Sequence, residues 1–322
     1  MHAIVSTEYG SPDRLRLEEL DKPAPAPDGV LVRVRAASVN PYDWHLIRGT
    51  PYVGRLMGMG LRRPAESRRG VDTAGTIEAV GENVTDFQPG DEVFGRCDGA
   101  FAEYVLGDPE KLVAKPERLT FEEAAAMPIA GVTALQALRD SGAVQAGQRV
   151  LINGAAGGVG SFAVQIAKSF GAHVTGVCST PNVELVRSIG ADVVVDYTLD
   201  DFSRTKQPYD VILDTVGNRS LRELRRALAP NGTLLVVGGG GGRLFGPITQ
   251  LARAFVLDRF VRQQVRPVMA GMHKADLLVL KELVDAGKLT PVIDRTYPLR
   301  ETAEAIRYLE GGHARGKVAI TV

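Results

Sequence analysis

The chain has 322 residues, 38 Lys+Arg against 38 Asp+Glu, 36 glycines and two cysteines. Its length predicts about two domains at roughly 150 residues each, and the balanced charge removes the broad attraction on which nucleic-acid binding depends. Cys97 and Cys178 alone build neither a disulfide framework nor a four-Cys zinc lobe. The opening MHAIVSTEYG lacks a secretory pattern, and no run nears the ~18 apolar residues of a membrane span. A cytoplasmic protein is expected.

The N-terminal part reads as β. Val30–Ala36 alternates at period two, as a half-buried strand does. Thr76–Gly81 is a second strand, and the Pro89-Gly90 turn introduces a third that ends at Gly95. Two more are expected at Ala100–Val105 and Lys111–Ala114. Short strands with frequent turns point to a barrel-like or sandwich-like domain. After Thr120, an N-cap candidate with Glu123 three positions on, the rhythm changes. Strands are predicted at Arg149–Asn153, His173–Cys178, Val193–Asp196, Val211–Asp214 and Thr233–Val237. Helices near Gly158–Phe170, Asn182–Ile189 and Arg219–Leu228 lie between them. This alternation is the pattern of a doubly wound parallel sheet, to which Val265–Met269 adds a sixth strand. A helix at Ala275–Ala286 with Gly287 as C-cap, a helix at Arg300–Glu310 and a strand at Lys317–Val322 close the chain. This tail is expected to fold back onto the N-terminal domain.

Strand Arg149–Asn153 runs directly into Gly154-Ala155-Ala156-Gly157-Gly158-Val159-Gly160. In that setting Gly157 lets backbone approach a pyrophosphate and Gly160 lets the helix pack close to the strand. The helix N-terminus favours the anion. The competing reading gives these glycines a tight-turn role alone. At the end of the second strand of this alternation, where an Asp or Glu would bond the ribose of NAD, stand Ser179 and Thr180. Two hydroxyls there favour NADPH over NADH, or else cap the next helix. Tyr197 would lie on the same rim, as phosphate contact or as packing, and Asp196 and Asp214 read as solvated or capping groups.

Several ordered motifs together resemble the medium-chain dehydrogenase/reductase superfamily, in its zinc-free quinone oxidoreductase branch. They are Gly70-Val71-Asp72-Thr73-Ala74-Gly75, Ala79-Val80-Gly81, Pro89-Gly90-Asp91-Glu92-Val93, Gly131-Val132-Thr133-Ala134 and the glycine turn. Ala37–Trp44 and Gly312–Lys317 look most like bacterial NAD(P)-dependent quinone reductases. The resemblance implies an α/β fold: a GroES-like catalytic domain over 1–125, completed by 271–322, with a Rossmann NADPH-binding domain over 126–270 inserted. A homodimer is also expected, from the edge strand Val265–Met269.

Zinc members of the superfamily hold their metal with Cys, His and Cys. The corresponding positions here carry Asn40, Asp72 and a residue near Thr133, so no metal is expected. Without that Lewis acid, hydride delivery to a quinone or conjugated enone is favoured over alcohol oxidation. In this reading the cofactor lies along the cleft between the two domains. Asn40 is the candidate donor to the oxygen that gains charge, or else only turns the chain before Pro41. Tyr52 is the candidate proton donor, with solvent as the other source. Thr133 would face the nicotinamide, and Ala156, Gly158 and Val159 would offer backbone contacts to the pyrophosphate. His313, Ala314 and Arg315 match a segment that reaches over the cofactor in some relatives.

Pro181 departs from the basic residue that relatives often carry beside a 2′-phosphate. Arg62, Arg63, Arg68 and Arg69 read as a solvated loop over the active-site mouth. The amphipathic stretch 247–260 reads as packing, with a quinone wall or membrane contact as alternatives, and Gly238–Gly242 would leave room at the cofactor rim. Val265–Met269 is a candidate dimer seam. Two functions compete with the leading one: an alkenal or enone double-bond reductase, and a nucleotide-binding regulatory or structural protein with negligible turnover.

Overall fold

In the computed structural model, which describes residues 1–237 and 262–322, the chain divides into two compact units. One comprises Met1–Val132 and Met272–Val322, the other Thr133–Gly271. Gly238–Gly242 and most of the stretch after it, including 247–260, lie outside the described residues.

The first unit contains strands β1 (His2–Val5), β2 (Arg16–Glu19), β3 (Val30–Val39), β4 (Asp72–Val80), β5 (Glu92–Arg96), β6 (Tyr104–Gly107) and β7 (Leu112–Ala114). The second holds β8 (Arg149–Asn153), β9 (His173–Cys178), β10 (Val193–Asp196), β11 (Tyr209–Asp214), β12 (Leu228–Val236) and β13 (Gln264–Pro267). The chain then returns to the first unit with β14 (Ile293–Pro298) and β15 (Lys317–Thr321).

β3 organises the first unit. Its alternation holds where Arg33 and Arg35 face solvent, and then stops, because Ala36–Val39 are buried on both faces. Its N-terminal half pairs with β6 and β4, its C-terminal half with β15 and β4, within a seven-stranded sheet in which six strands run in the order β14-β15-β3-β4-β5-β7 and β6 joins off that path, on β3. The strand expected at Ala100–Val105 begins only at Tyr104. Residues before it are held by the β1 backbone instead, with Ala102 bridged to Ala3 and Ile4 N–H bonded to the Phe101 carbonyl at 2.8 Å. The sequence reading contained neither the β1–β2 pair nor β14. Arg16–Glu19 is exposed along its whole length and so carries no alternation.

The second unit is a six-stranded parallel sheet ordered β10-β9-β8-β11-β12-β13. Helix Gly158–Ser169 is buried from Gly160 through Ala167, consistent with its near-continuous apolar sequence. The Thr120–Glu123 capping box forms as the sequence predicts. The next helix, Pro128–Gln136, crosses from the first unit into the second.

Candidate functional site

Chain order places two groups of residues at strand ends, one in each unit. In the second unit the strand order reverses between β8 and β11, and the carboxyl ends flanking such a switch point are where open α/β sheets bind ligands. Asn153 and Asp214 close these two strands. Asn153 Nδ2 donates to Asp214 Oδ1 at 2.8 Å, and the same oxygen accepts the Val216 and Gly217 N–H groups at 3.1 and 3.0 Å. Asp214 thus caps the turn after β11.

The glycine turn leaves β8 with Gly154 at φ +86°, where a side chain would also strike the Thr215 hydroxyl. A Cβ on Gly160 would lie 2.1 Å from the Gly154 carbonyl oxygen, so this glycine is demanded by the packing of helix on strand. Gly157 differs. Its φ is −83°, and a Cβ there would meet only the Gly154 oxygen, at 3.4 Å. Among the described residues, internal packing does not require its bareness. Gly157 is the N-cap of the 12-residue helix and no side chain caps it, so Gly158, Val159 and Gly160 head a helix end that suits a phosphate. Ala156 is buried within the turn.

Beside this turn, β9 ends at Cys178, and Ser179 and Thr180 follow. Asn182 Nδ2 donates to Ser179 Oγ at 3.2 Å, and the Thr180 and Thr198 hydroxyls are 3.0 Å apart. Asp196 accepts Thr198 N–H and O–H at 2.9 and 2.7 Å. The Thr180 hydroxyl first, then Thr198, holds the Asp196 carboxyl below its usual range. Tyr197 is exposed on this rim, its N–H bonded to the Cys178 carbonyl. Thr133 is buried on helix Pro128–Gln136.

In the first unit, register builds a buried polar cluster. Ser38 on β3 faces Asp72 on β4, and Val39 faces Val318 on β15, so the residues flanking that last pair, Asn40 and Lys317, meet. Lys317 Nζ donates to Asn40 Oδ1 at 2.6 Å and to Asp72 Oδ2 at 3.3 Å. Asp72 Oδ2 also accepts from Asn40 Nδ2 and the Ser38 hydroxyl, both at 2.8 Å, while Oδ1 accepts Ile129 N–H at 3.1 Å. Asn40 holds the N-cap position of helix Pro41–Arg48, and its side chain also serves this cluster. Asp43 accepts the Asn40 N–H at 2.7 Å. Burial pushes the Asp43 carboxyl up to about 7 against that hydrogen bond.

Asn40 and Asp72 were singled out by the sequence; Ser38, Asp43 and Lys317 were not. Nothing in the local pattern around Lys317 marks a buried ammonium, since strand-initial lysines are ordinarily solvated. Tyr52 lies apart from the cluster's hydrogen bonds, exposed, with the Arg55 guanidinium 4.8 Å from its ring. His313 and Arg315 are exposed in the loop before β15, and Arg315 N–H bonds Asp294 at 2.9 Å. Within the arginine loop, Arg69 departs from the solvated reading: it is buried and donates to the Ser6 carbonyl at 3.1 Å.

The sheet order and glycine turn define a Rossmann-type unit. Residues 189–320 match the model of the zinc-binding dehydrogenase family, and residues 26–117 that of the alcohol dehydrogenase GroES-like domain. The mouse mitochondrial NAD(P)H oxidoreductase RTN4IP1 (Mus musculus) is 35% identical over 100% of this chain and 89% of its own length. The tomato 2-methylene-furan-3-one reductase (Solanum lycopersicum) is 34% identical over 99% of this chain and 79% of its own. The solved quinone oxidoreductase of Coxiella burnetii superposes with a TM-score of 0.86 at 30% identity, covering 100% and 99% of the two chains. The chain belongs to the medium-chain dehydrogenase/reductase superfamily, among the quinone oxidoreductases, with a GroES-like domain and a Rossmann-type parallel sheet.

The first of those family names implies zinc. The residues at the ligand positions do not fit it. Asn40 Oδ1 and Asp72 Oδ2 are already committed to an ammonium of the chain itself, and a second cation there would be repelled by it.

Proposed function

We propose that the protein is a zinc-independent, NADPH-dependent reductase that transfers hydride to a quinone or a conjugated enone. The observation that carries this reading is the cation position filled by Lys317, beside Asn40 and Asp72. An alcohol substrate would have no metal to bind there, whereas an acceptor already activated for hydride needs none. The relatives named as an NAD(P)H oxidoreductase, a quinone oxidoreductase and an enone reductase support the same chemistry.

The bound nicotinamide would supply the hydride. The protein's part is binding and orientation. Gly157–Gly160, with Ala156, would take the pyrophosphate, and Ser179, Thr180 and Tyr197 the 2′-phosphate. Thr133 would face the nicotinamide, and His313, Ala314 and Arg315 would border the cofactor. Asn40 is the proposed donor to the oxygen that gains charge. Among the described residues, one of its amide hydrogens is held by Asp72 at 2.8 Å and the other only by a 3.4 Å contact to the Ser38 carbonyl, which an acceptor's oxygen would replace. Tyr52 is the proposed proton donor. The edge position of β13 supports a homodimer.

Steady-state oxidation of NADPH with 1,4-benzoquinone, a naphthoquinone and an α,β-unsaturated aldehyde tests this. Turnover with quinones is expected; a rate confined to the aldehyde would make the protein a double-bond reductase. Tight NADPH binding without turnover on any acceptor would leave a nucleotide-binding role. Ser179→Asp should weaken NADPH about tenfold or more and favour NADH, because a carboxylate repels the 2′-phosphate and bonds the ribose. Unchanged NADPH affinity would remove Ser179 from the phosphate site. Cell fractionation decides between the expected cytoplasm and an organelle like that of the mouse relative.

A further inference from the structure

We infer that Lys317 is a positioning residue for hydride transfer: its buried ammonium fixes which way the Asn40 amide faces. The inference rests on the reductase reading above, in which Asn40 donates to the acceptor's oxygen.

A primary amide is nearly symmetric in shape, so its orientation is set only by neighbours that distinguish oxygen from nitrogen. Asn40 has two such neighbours of opposite kind. Lys317 Nζ, which only donates, lies 2.6 Å from Oδ1, and Asp72 Oδ2 lies 2.8 Å from Nδ2. A reversed amide would set its NH2 against an ammonium and its carbonyl against a carboxylate. Both contacts would turn repulsive in a water-poor site, where such errors are costly. The pair therefore holds the Nδ2 end, the only donor Asn40 has in its side chain, in one direction.

Neutralising Asp72 does not by itself account for Lys317. Asp72 already accepts three other hydrogen bonds, from Ser38, Asn40 and Ile129. The ammonium lies closer to Asn40 than to Asp72, at 2.6 against 3.3 Å. The chain is also shaped to deliver it. Gly316 has φ +84°, and a Cβ there would lie 2.3 Å from the Val292 carbonyl oxygen, so only glycine turns the backbone into β15 at this point.

Lys317→Met alone strands a buried carboxylate and can fail to fold, so the deciding protein is the full chain carrying K317M and D72N together, uncharged at both positions. Thermal unfolding, the NADPH dissociation constant, kcat with 1,4-benzoquinone and solvent exchange of the Asn40 side-chain NH2, followed by 15N NMR, are compared with wild type. The double variant is expected to fold and to bind NADPH within about twofold of wild type. Its kcat should fall about tenfold or more, and its Asn40 NH2 should exchange about tenfold faster or more, relative both to wild type and to D72N alone, which keeps the ammonium on Asn40 Oδ1. Values of either kcat or exchange equal to wild type or to D72N alone overturn the assignment, because Lys317 then does no more than neutralise Asp72. A double variant that does not fold overturns it too, since the charge pairing would not be what holds the cluster. If wild type itself oxidises NADPH with neither quinone nor enone, the reductase reading falls, and the exchange comparison still decides whether Lys317 orients Asn40.

Discussion

Asp43 shows how burial reshapes a single side chain. Its carboxyl is pushed up to about 7 by desolvation, against the Asn40 N–H, with Asp72 adding to the rise and Lys317 and Arg69 opposing it. The ordinary value is 3.8, so between about pH 4 and 7 the folded state keeps a proton that the unfolded chain has lost. Stability contributed through this group is full below that window, falls as pH rises through it and is level above about 7. Asp43→Asn should therefore gain on wild type between pH 4 and 7 by a few kcal/mol at most, at about 1.4 kcal/mol per pKa unit. Urea unfolding of both proteins at pH 5 and pH 8 checks this; parallel profiles would mean that Asp43 is ionised in the fold. At this scale the sequence was half-informative. It marked Asn40 and Asp72 by the ligands they replace, yet Lys317 lies 277 residues from Asn40, and only strand register brings the two together.

At the scale of elements, the turn from β8 into helix Gly158–Ser169 was legible because its glycines stand in one contiguous run directly after a strand. Gly160 is demanded by the packing of helix on strand, as the motif predicts, whereas the role proposed for Gly157 is to let a phosphate approach. Gly160→Ala should destabilise the fold by about 1–3 kcal/mol, since its Cβ would collide with the Gly154 carbonyl. Gly157→Ala should leave the melting temperature almost unchanged while NADPH affinity falls about tenfold or more. Calorimetry of the two variants with and without NADPH separates the effects. Equal destabilisation by both would assign the whole turn to internal packing. Where no such run stands, the local pattern is silent. β2 is exposed throughout and β14 mixes half-buried with exposed residues, so neither shows a period; each exists because a partner strand accepts it.

At the scale of the molecule, the order β10-β9-β8-β11-β12-β13 leaves β13 at the edge of the described sheet. A sheet edge is a pairing surface, and for the proposed homodimer sedimentation velocity should give a particle of about twice 34.5 kDa. A monomer at micromolar concentration would take the dimer out of the reading. The sequence by itself determined what repeats or runs contiguously: the strand-helix alternation, the glycine turn and the loss of the zinc-ligand residues. These depend on local spacing and residue type, which a linear chain displays. Only the tertiary structure decided what stands where the metal would be. That depends on β15, from the chain's end, lying antiparallel to β3 and placing Lys317 against Asn40 and Asp72, and long-range register leaves no trace in local sequence.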